Sequence, residues 1–299
     1  RIKMIQTKFF IAFILFQTSL FAQDTIPFSI GKNNKIYLKV RVNNSDELNF
    51  MYDTGADVCA IKKSILDKAA VKIDGTEENV GVGGVSLVET SSKNEINIGS
   101  FHKKDHKLLI LDYQNDLEDG IIGWTYFENK VVNINYGIKK IIIHNKLPEI
   151  PKEYMKLKCK KIDNLFFVKL TLVVKGKKMS DWYELDTGSD GSLMISNLLG
   201  RKRQLFGKMI QIGNSVSRGS DNNVIENDLV LLDELRIKNY RFYRIPIDLA
   251  TTESSVENND IIGNNFLKRF HLFLDFGNNT IYLKVNNLVH SYYLESLVE

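Results

Sequence analysis

Two aspartates stand in matching frames. Tyr52, Asp53, Thr54, Gly55, Ala56 and Asp57 run in order, and so do Leu185, Asp186, Thr187, Gly188, Ser189 and Asp190. One carboxylate at a Gly-containing corner is ordinary, a side chain capping its own turn. Two in the same frame ask for a joint explanation. Carboxyl groups a few Å apart cannot both ionise cheaply. One pKa falls, the other rises, and the pair holds a single proton over a wide acidic range. Such a pair is an acid and a base in one site. The ionised member takes a proton from a bound water, and the protonated member hydrogen-bonds the carbonyl oxygen that the water's attack charges. Neither a metal, a cofactor nor a covalent intermediate is required.

The pair must be positioned by rigid elements. Each motif follows an alternating run, Asn49-Phe50-Met51-Tyr52 in the first and Trp182-Tyr183-Glu184-Leu185 in the second. Each therefore reads as a strand ending in a tight turn. Thr54 and Thr187 are expected to brace the two turns by hydroxyl hydrogen bonds. Gly55 and Gly188 make the turns, and Ala56 and Ser189 leave room around the carboxyls, with Ser189 able to hydrogen-bond Asp186. Gly120-Ile121-Ile122-Gly123 lies downstream of the first motif and Asp260-Ile261-Ile262-Gly263 downstream of the second.

The spacing makes this an internal repeat. Asp186 follows Asp53 by 133 positions, and Gly263 follows Gly123 by 140. The 140 offset also aligns Tyr126 with Phe266, Ile134 with Leu274, Gly137 with Gly277 and Ile143 with Leu283. A two-copy repeat predicts two lobes about a pseudo-twofold axis, with equivalent residues meeting there.

Strands are predicted at 26–30, 35–42, up to Asp53, 95–98, 107–111, 131–135, 139–144, 166–173, up to Asp186, 226–237 and 241–247. Helices are predicted at 62–70 and 196–205, and a short one after Gly123. The glycines among valines at 78–86 predict a hairpin tip. Residues 145–161, with Pro148 and Pro151, read as a connector, and 207–220 as a second Gly-containing loop.

The chain has 299 residues, 43% hydrophobic and 25% charged, ordinary for a globular protein. Lys3 and Lys8 precede the apolar run Phe9–Phe16, and Phe21-Ala22 offers a cleavage site, so residues 1–22 are expected to be a signal peptide. Its removal takes Arg1, Lys3 and Lys8 and no acids, lowering the net charge from +4 to +1. Nothing in that balance calls for a nucleic-acid partner, and no membrane attachment is expected after signal removal. The expected location is secreted or periplasmic. Cys59, six residues after Asp53 in an apolar stretch, reads as a buried thiol behind the first motif. The five histidines lack the H-E-x-x-H spacing of zinc proteases.

On its two D-T-G motifs and its Ile-Ile-Gly pairs, the chain resembles aspartic proteases of the retropepsin and pepsin group. The resemblance implies an all-β, bilobal fold of two pseudo-symmetric retropepsin-like β-barrel lobes, here residues 23–150 and 151–299. It implies an endopeptidase with Asp53 and Asp186 catalytic and a peptide or protein substrate in the cleft between the lobes. Thr54, Gly55, Ala56, Thr187, Gly188 and Ser189 would support the catalytic turns. Asp57 and Asp190 match a position that binds substrate main chain, and Gly83 and Gly84 fall in the expected flap. Retropepsins carry Arg after the apolar-apolar-Gly motif, where this chain has Trp124 and Asn264. Both lobes in one chain imply a working monomer. The alternative is a catalytically idle secreted peptide-binding protein of the same fold.

Overall fold

The computed structural model describes residues 24–81, 84–112, 117–219, 224–253 and 259–294. The expected leader lies outside them. The first half contributes β1 (Asp24–Ile30), β2 (Ile36–Val42), β3 (Leu48–Asp53), β4 (Cys59–Lys62), β5 (Gly75–Gly81), β6 (Gly84–Ile98), β7 (Phe101–Leu111), β8 (Gly120–Gly123), β9 (Val131–Asn135) and β10 (Lys140–His144). The second contributes β11 (Met155–Ile162), β12 (Leu165–Val174), β13 (Lys177–Asp186), β14 (Leu193–Ile195), β15 (Ile210–Arg218), β16 (Val224–Ile237), β17 (Tyr240–Ala250), β18 (Ile261–Gly263), β19 (Phe270–Asp275) and β20 (Thr280–Val285). The two α-helices among the described residues are short: α1 (Asn197–Lys202) and α2 (Asn264–Leu267). The fold is all-β.

Each strand has its counterpart ten strands later, and the pairings repeat with it. β3 runs parallel to β8, and β13 to β18. β4 lies parallel to β7 and antiparallel to β8, as β14 does to β17 and β18. β5–β6 and β15–β16 are the equivalent long hairpins. The repeat read from the two aspartates thus extends through the whole topology.

A third sheet joins the halves, in the order β1–β10–β9–β19–β20–β11. Its centre is the β9–β19 pair, where Ile134 faces Leu272 and Val132 faces Leu274. The first residues of β1 and β11 pair in this shared sheet, and their last residues pair with β2 and β12 in the lobes. One apolar core runs through all three sheets. Trp124 of the first half packs on Phe166 and Phe276 of the second, with ring centroids 4.9 and 5.1 Å apart. Burying such rings contributes roughly 1.5–3 kcal/mol each.

The strands form where alternation is strict. In β2, Leu38, Val40 and Val42 are buried while Lys39 and Arg41 are exposed. Three expectations are corrected. The segment 62–70 is not an α-helix: Lys62 ends β4 and only a 3-10 turn, Lys63–Ile65, follows. Ile61, Ile65 and Ala69 do face the core at helical spacing, but Ala70 takes a left-handed conformation and ends the turn. The segment 207–220 holds β15, not a loop. Nearly all of β15 is exposed or half-exposed, so it carries no burial alternation, and pairing with β16 makes it a strand. The connector 145–161 ends in β11, whose lysines mask the strand because among its residues only Leu157 is buried.

Candidate active site

β3 and β13 end at the same point on the pseudo-twofold axis. Beside them β8 and β18 place Gly123 opposite Asp53 and Gly263 opposite Asp186. These glycines let the backbone pass directly behind the two turns. A Cβ on Gly123 would lie 2.6 Å from the Ala56 carbonyl oxygen, and one on Gly263 would lie 2.8 Å from Ser189 Oγ. The next amides close the turns: Trp124 N–H donates to Ala56 O at 2.9 Å, and Asn264 N–H to Ser189 O at 2.8 Å.

The two turns hold each other. Thr54 N–H donates to Thr187 Oγ1 at 3.0 Å, and Thr187 Oγ1 donates to Tyr52 O at 2.9 Å. The mirror bonds are Thr187 N–H to Thr54 Oγ1 at 3.0 Å and Thr54 Oγ1 to Leu185 O at 2.7 Å. Both threonines are buried, so these four bonds are shielded from water and fix one turn against the other.

The carboxyls of Asp53 and Asp186 consequently meet and hydrogen-bond. Each packs over the opposite glycine. A Cβ on Gly188 would lie 2.5 Å from Asp53 Cγ, and one on Gly55 would lie 2.7 Å from Asp186 Cγ. The environments are unequal. Asp186 Oδ1 accepts the amides of Gly188 at 2.7 Å and Ser189 at 3.0 Å. Asp53 Oδ1 accepts that of Gly55 at 2.8 Å. Burial raises both carboxyls. Asp186 is pushed up to about 6, with the Glu184 charge adding to burial and the Asp53 bond and Gly188 amide opposing it. Asp53 stands well above the usual carboxylate range through burial and the Asp186 charge. Amide donors favour the ionised form, so Asp186, with two amides to one on Asp53, is the member that ionises first.

The other predicted residues divide. Ser189 meets Asp186 through its amide, where a hydroxyl contact was expected. Asp57 is half-buried, and its Oδ2 accepts Asn164 Nδ2 at 2.7 Å. Asn164 lies in the β11–β12 turn of the other half, and its carbonyl accepts Trp124 Nε1–H at 3.1 Å. Asp190 is exposed, and its carbonyl accepts Asn34 Nδ2 at 3.1 Å. Asn34, in the β1–β2 turn, also offers its carbonyl to Asn264 Nδ2 at 2.5 Å. Each half's first hairpin thus reaches across to the other half's D-T-G turn. Gly84 opens β6 opposite Gly81 at the end of the predicted hairpin; Gly83 lies outside the described residues.

Sequence reasoning did not single out Glu184, Asn164 or Asn34. Glu184 is buried, and its Oε1 would lie 2.9 Å from a Cβ on Gly55, beside Asp186. The 133 offset pairs it with Met51, and that contrast was the signal available. Cys59 is buried and free as expected. Among the described residues, no three or more His, Cys, Asp or Glu side chains are grouped to hold a metal ion.

A family model described as aspartyl protease matches residues 38–126, the stretch that holds the first D-T-G turn and β8. The crystal structure of the aspartic proteinase from Irpex lacteus superposes with a TM-score of 0.60. It covers 90% of this chain and 99% of its own, at 15% identity. No curated protein matches the sequence. The fold is that of the two-lobed aspartic proteinases. Residues 38–126, in the first half, carry the aspartyl protease sequence pattern.

Proposed function

We propose that this protein is an endopeptidase that hydrolyses peptide bonds with a water activated between Asp53 and Asp186. The observation that carries the reading is the mutual anchorage of the two D-T-G turns, which leaves two carboxyls in contact on rigid strand ends. Asp186 takes a proton from the water as its oxygen bonds to the scissile carbonyl carbon. Asp53 gives its proton to the carbonyl oxygen, and the resulting diol collapses. Asp186 passes its proton to the departing nitrogen as the C–N bond breaks, and Asp53 recovers one from the diol. The pair ends as it began, with one proton. Acid–base assistance of this kind contributes about 10²–10⁴-fold, and fixed geometry contributes more.

An extended peptide would lie in the cleft beneath the β5–β6 hairpin. Asp57 keeps one carboxylate oxygen beyond the Asn164 bond for a substrate main-chain N–H. Asp190 offers an exposed carboxylate on the other side. With both carboxyls in one chain, a monomer suffices. The leader-like residues 1–22 support a secreted or periplasmic location.

The test is digestion of an unbiased peptide mixture by the protein lacking residues 1–22, between about pH 3 and 7, in water enriched in oxygen-18. The expected result is internal cleavage with label in the new carboxyl termini. Peptides that bind and stay whole at every pH would favour the idle peptide-binding protein.

A further inference from the structure

Asp53 and Asp186 do not form an isolated pair. Alternate residues of a strand share a face, so β13 carries Glu184 on the same side as Asp186. Glu184 is only 5% exposed. Its Oε2 accepts Asn259 Nδ2 at 2.7 Å. Its Oε1 points at Gly55: the place a Cβ would take there lies 2.9 Å from Glu184 Oε1 and 2.9 Å from Asp186 Oδ1. Glu184 and Asp186 therefore meet at Gly55, and Asp186 is bonded in turn to Asp53.

The other half lacks this feature. Met51 holds the equivalent place before Asp53 and packs with Tyr37, Ala60, Leu109 and Ile121. A carboxylate on one side of the pair and a thioether on the other break the pseudo-symmetry where the proton is shared.

We propose that Glu184 is a positioning residue for the shared proton: its carboxylate, held by Asn259, keeps that proton on the Asp53–Asp186 pair toward neutral pH. This rests on the peptidase reading above. The groups around Glu184 leave its charge unneutralised. On β12 and β18 it faces Phe167 and Ile261. Its own amide donates to Asp260 O at 2.7 Å, while the Asp260 carboxylate turns to Ser196. Lys35, near the β1–β2 turn, is the cation that acts on both aspartates, and its pull is the weakest of their named influences. Burial, and then the Asp53 charge, push Glu184 up to about 7 against the Asn259 bond. Glu184 in turn helps to raise Asp186. The three titrate as one system. In it an ionised Glu184 raises the pH at which the pair loses its last proton. At acid pH Glu184 is neutral and does nothing.

Glu184→Gln is isosteric and keeps an acceptor for Asn259. In the pH profile of kcat/KM, its alkaline limb should fall by about one pH unit while the acid limb stays in place. Activity near pH 7 would then drop about tenfold, with little change at pH 4. Glu184→Asp, which keeps the charge, should restore most of the alkaline limb. A uniform loss across the pH range with an unchanged shape would overturn the proposal and leave Glu184 a packing residue. Carbon-13 NMR titration of the aspartate carboxyls reads the same shift without turnover. If the protein cleaves nothing, the peptidase reading falls, and the NMR titration still decides. Equal titration of the pair in wild type and Glu184→Gln would overturn the role of Glu184.

Discussion

Replacing Thr187 with Val removes one hydroxyl from a side chain that is fully buried. Two partners lose their bonds: the Thr54 N–H, 3.0 Å away, and the Tyr52 carbonyl, 2.9 Å away. No water reaches a site this enclosed, so each group keeps its desolvation cost of about 1–3 kcal/mol. The added methyl returns about 0.8 kcal/mol. The net loss is then about 1–5 kcal/mol. At about 2–4 °C per kcal/mol for a chain approaching this size, the melting temperature should fall by about 2–20 °C. Thr187→Ser is the control, because it keeps both bonds and loses one methyl, about 1 kcal/mol. Urea unfolding followed by tryptophan fluorescence reads both variants, since Trp124 is buried where the two halves pack. If Thr187→Val proves no less stable than Thr187→Ser, the cross-brace does not hold the turns together and the reasoning fails.

Three other outcomes are expected. Gly188→Ala places a methyl 2.5 Å from Asp53 Cγ, so it should cut peptidase activity by about 10²-fold or more while the circular dichroism of the fold persists. Cys59 is buried, and burial pushes its thiol up to about 12, so iodoacetamide at pH 8 should leave it intact until urea unfolds the chain. Asp53, Asp186 and Glu184 all hold protons more tightly folded than unfolded, through burial first. The contributions of Asp186 and Glu184 are full below about pH 4 and are lost as pH rises through their folded values, about 6 for Asp186 and about 7 for Glu184. Melting should therefore be lower at pH 7.5 than at pH 4.5, and the double variant Asp53→Asn, Glu184→Gln should flatten that slope.

The legible part of this chain is what repeats locally. Two D-T-G corners, two Ile-Ile-Gly strands and offsets of 133 and 140 carry the pairing of the halves. The strictly alternating run that became β2 announces itself because one face is buried. β15 does not, since it lies open to solvent on both faces and is a strand only through β16. Ile61, Ile65 and Ala69 mark a buried face correctly, but spacing alone does not reveal that Ala70 turns left-handed. The contacts of Asn164 with Asp57 and of Asn34 with Asn264 span 107 and 230 positions. Such contacts exist only once the shared sheet has brought the first hairpin of each half over the other. Glu184 was visible as a residue, but its neighbours Gly55 and Asn259 come from distant parts of the chain.

The central claim is that Asp53 and Asp186 form one acid–base unit. The direct measurement is cleavage of the same peptide mixture by wild type, Asp53→Asn and Asp186→Asn, each first verified as folded. The account predicts cutting by wild type and near-complete loss in either variant, because an amide can neither take nor give the shared proton. Full activity in either variant would contradict it.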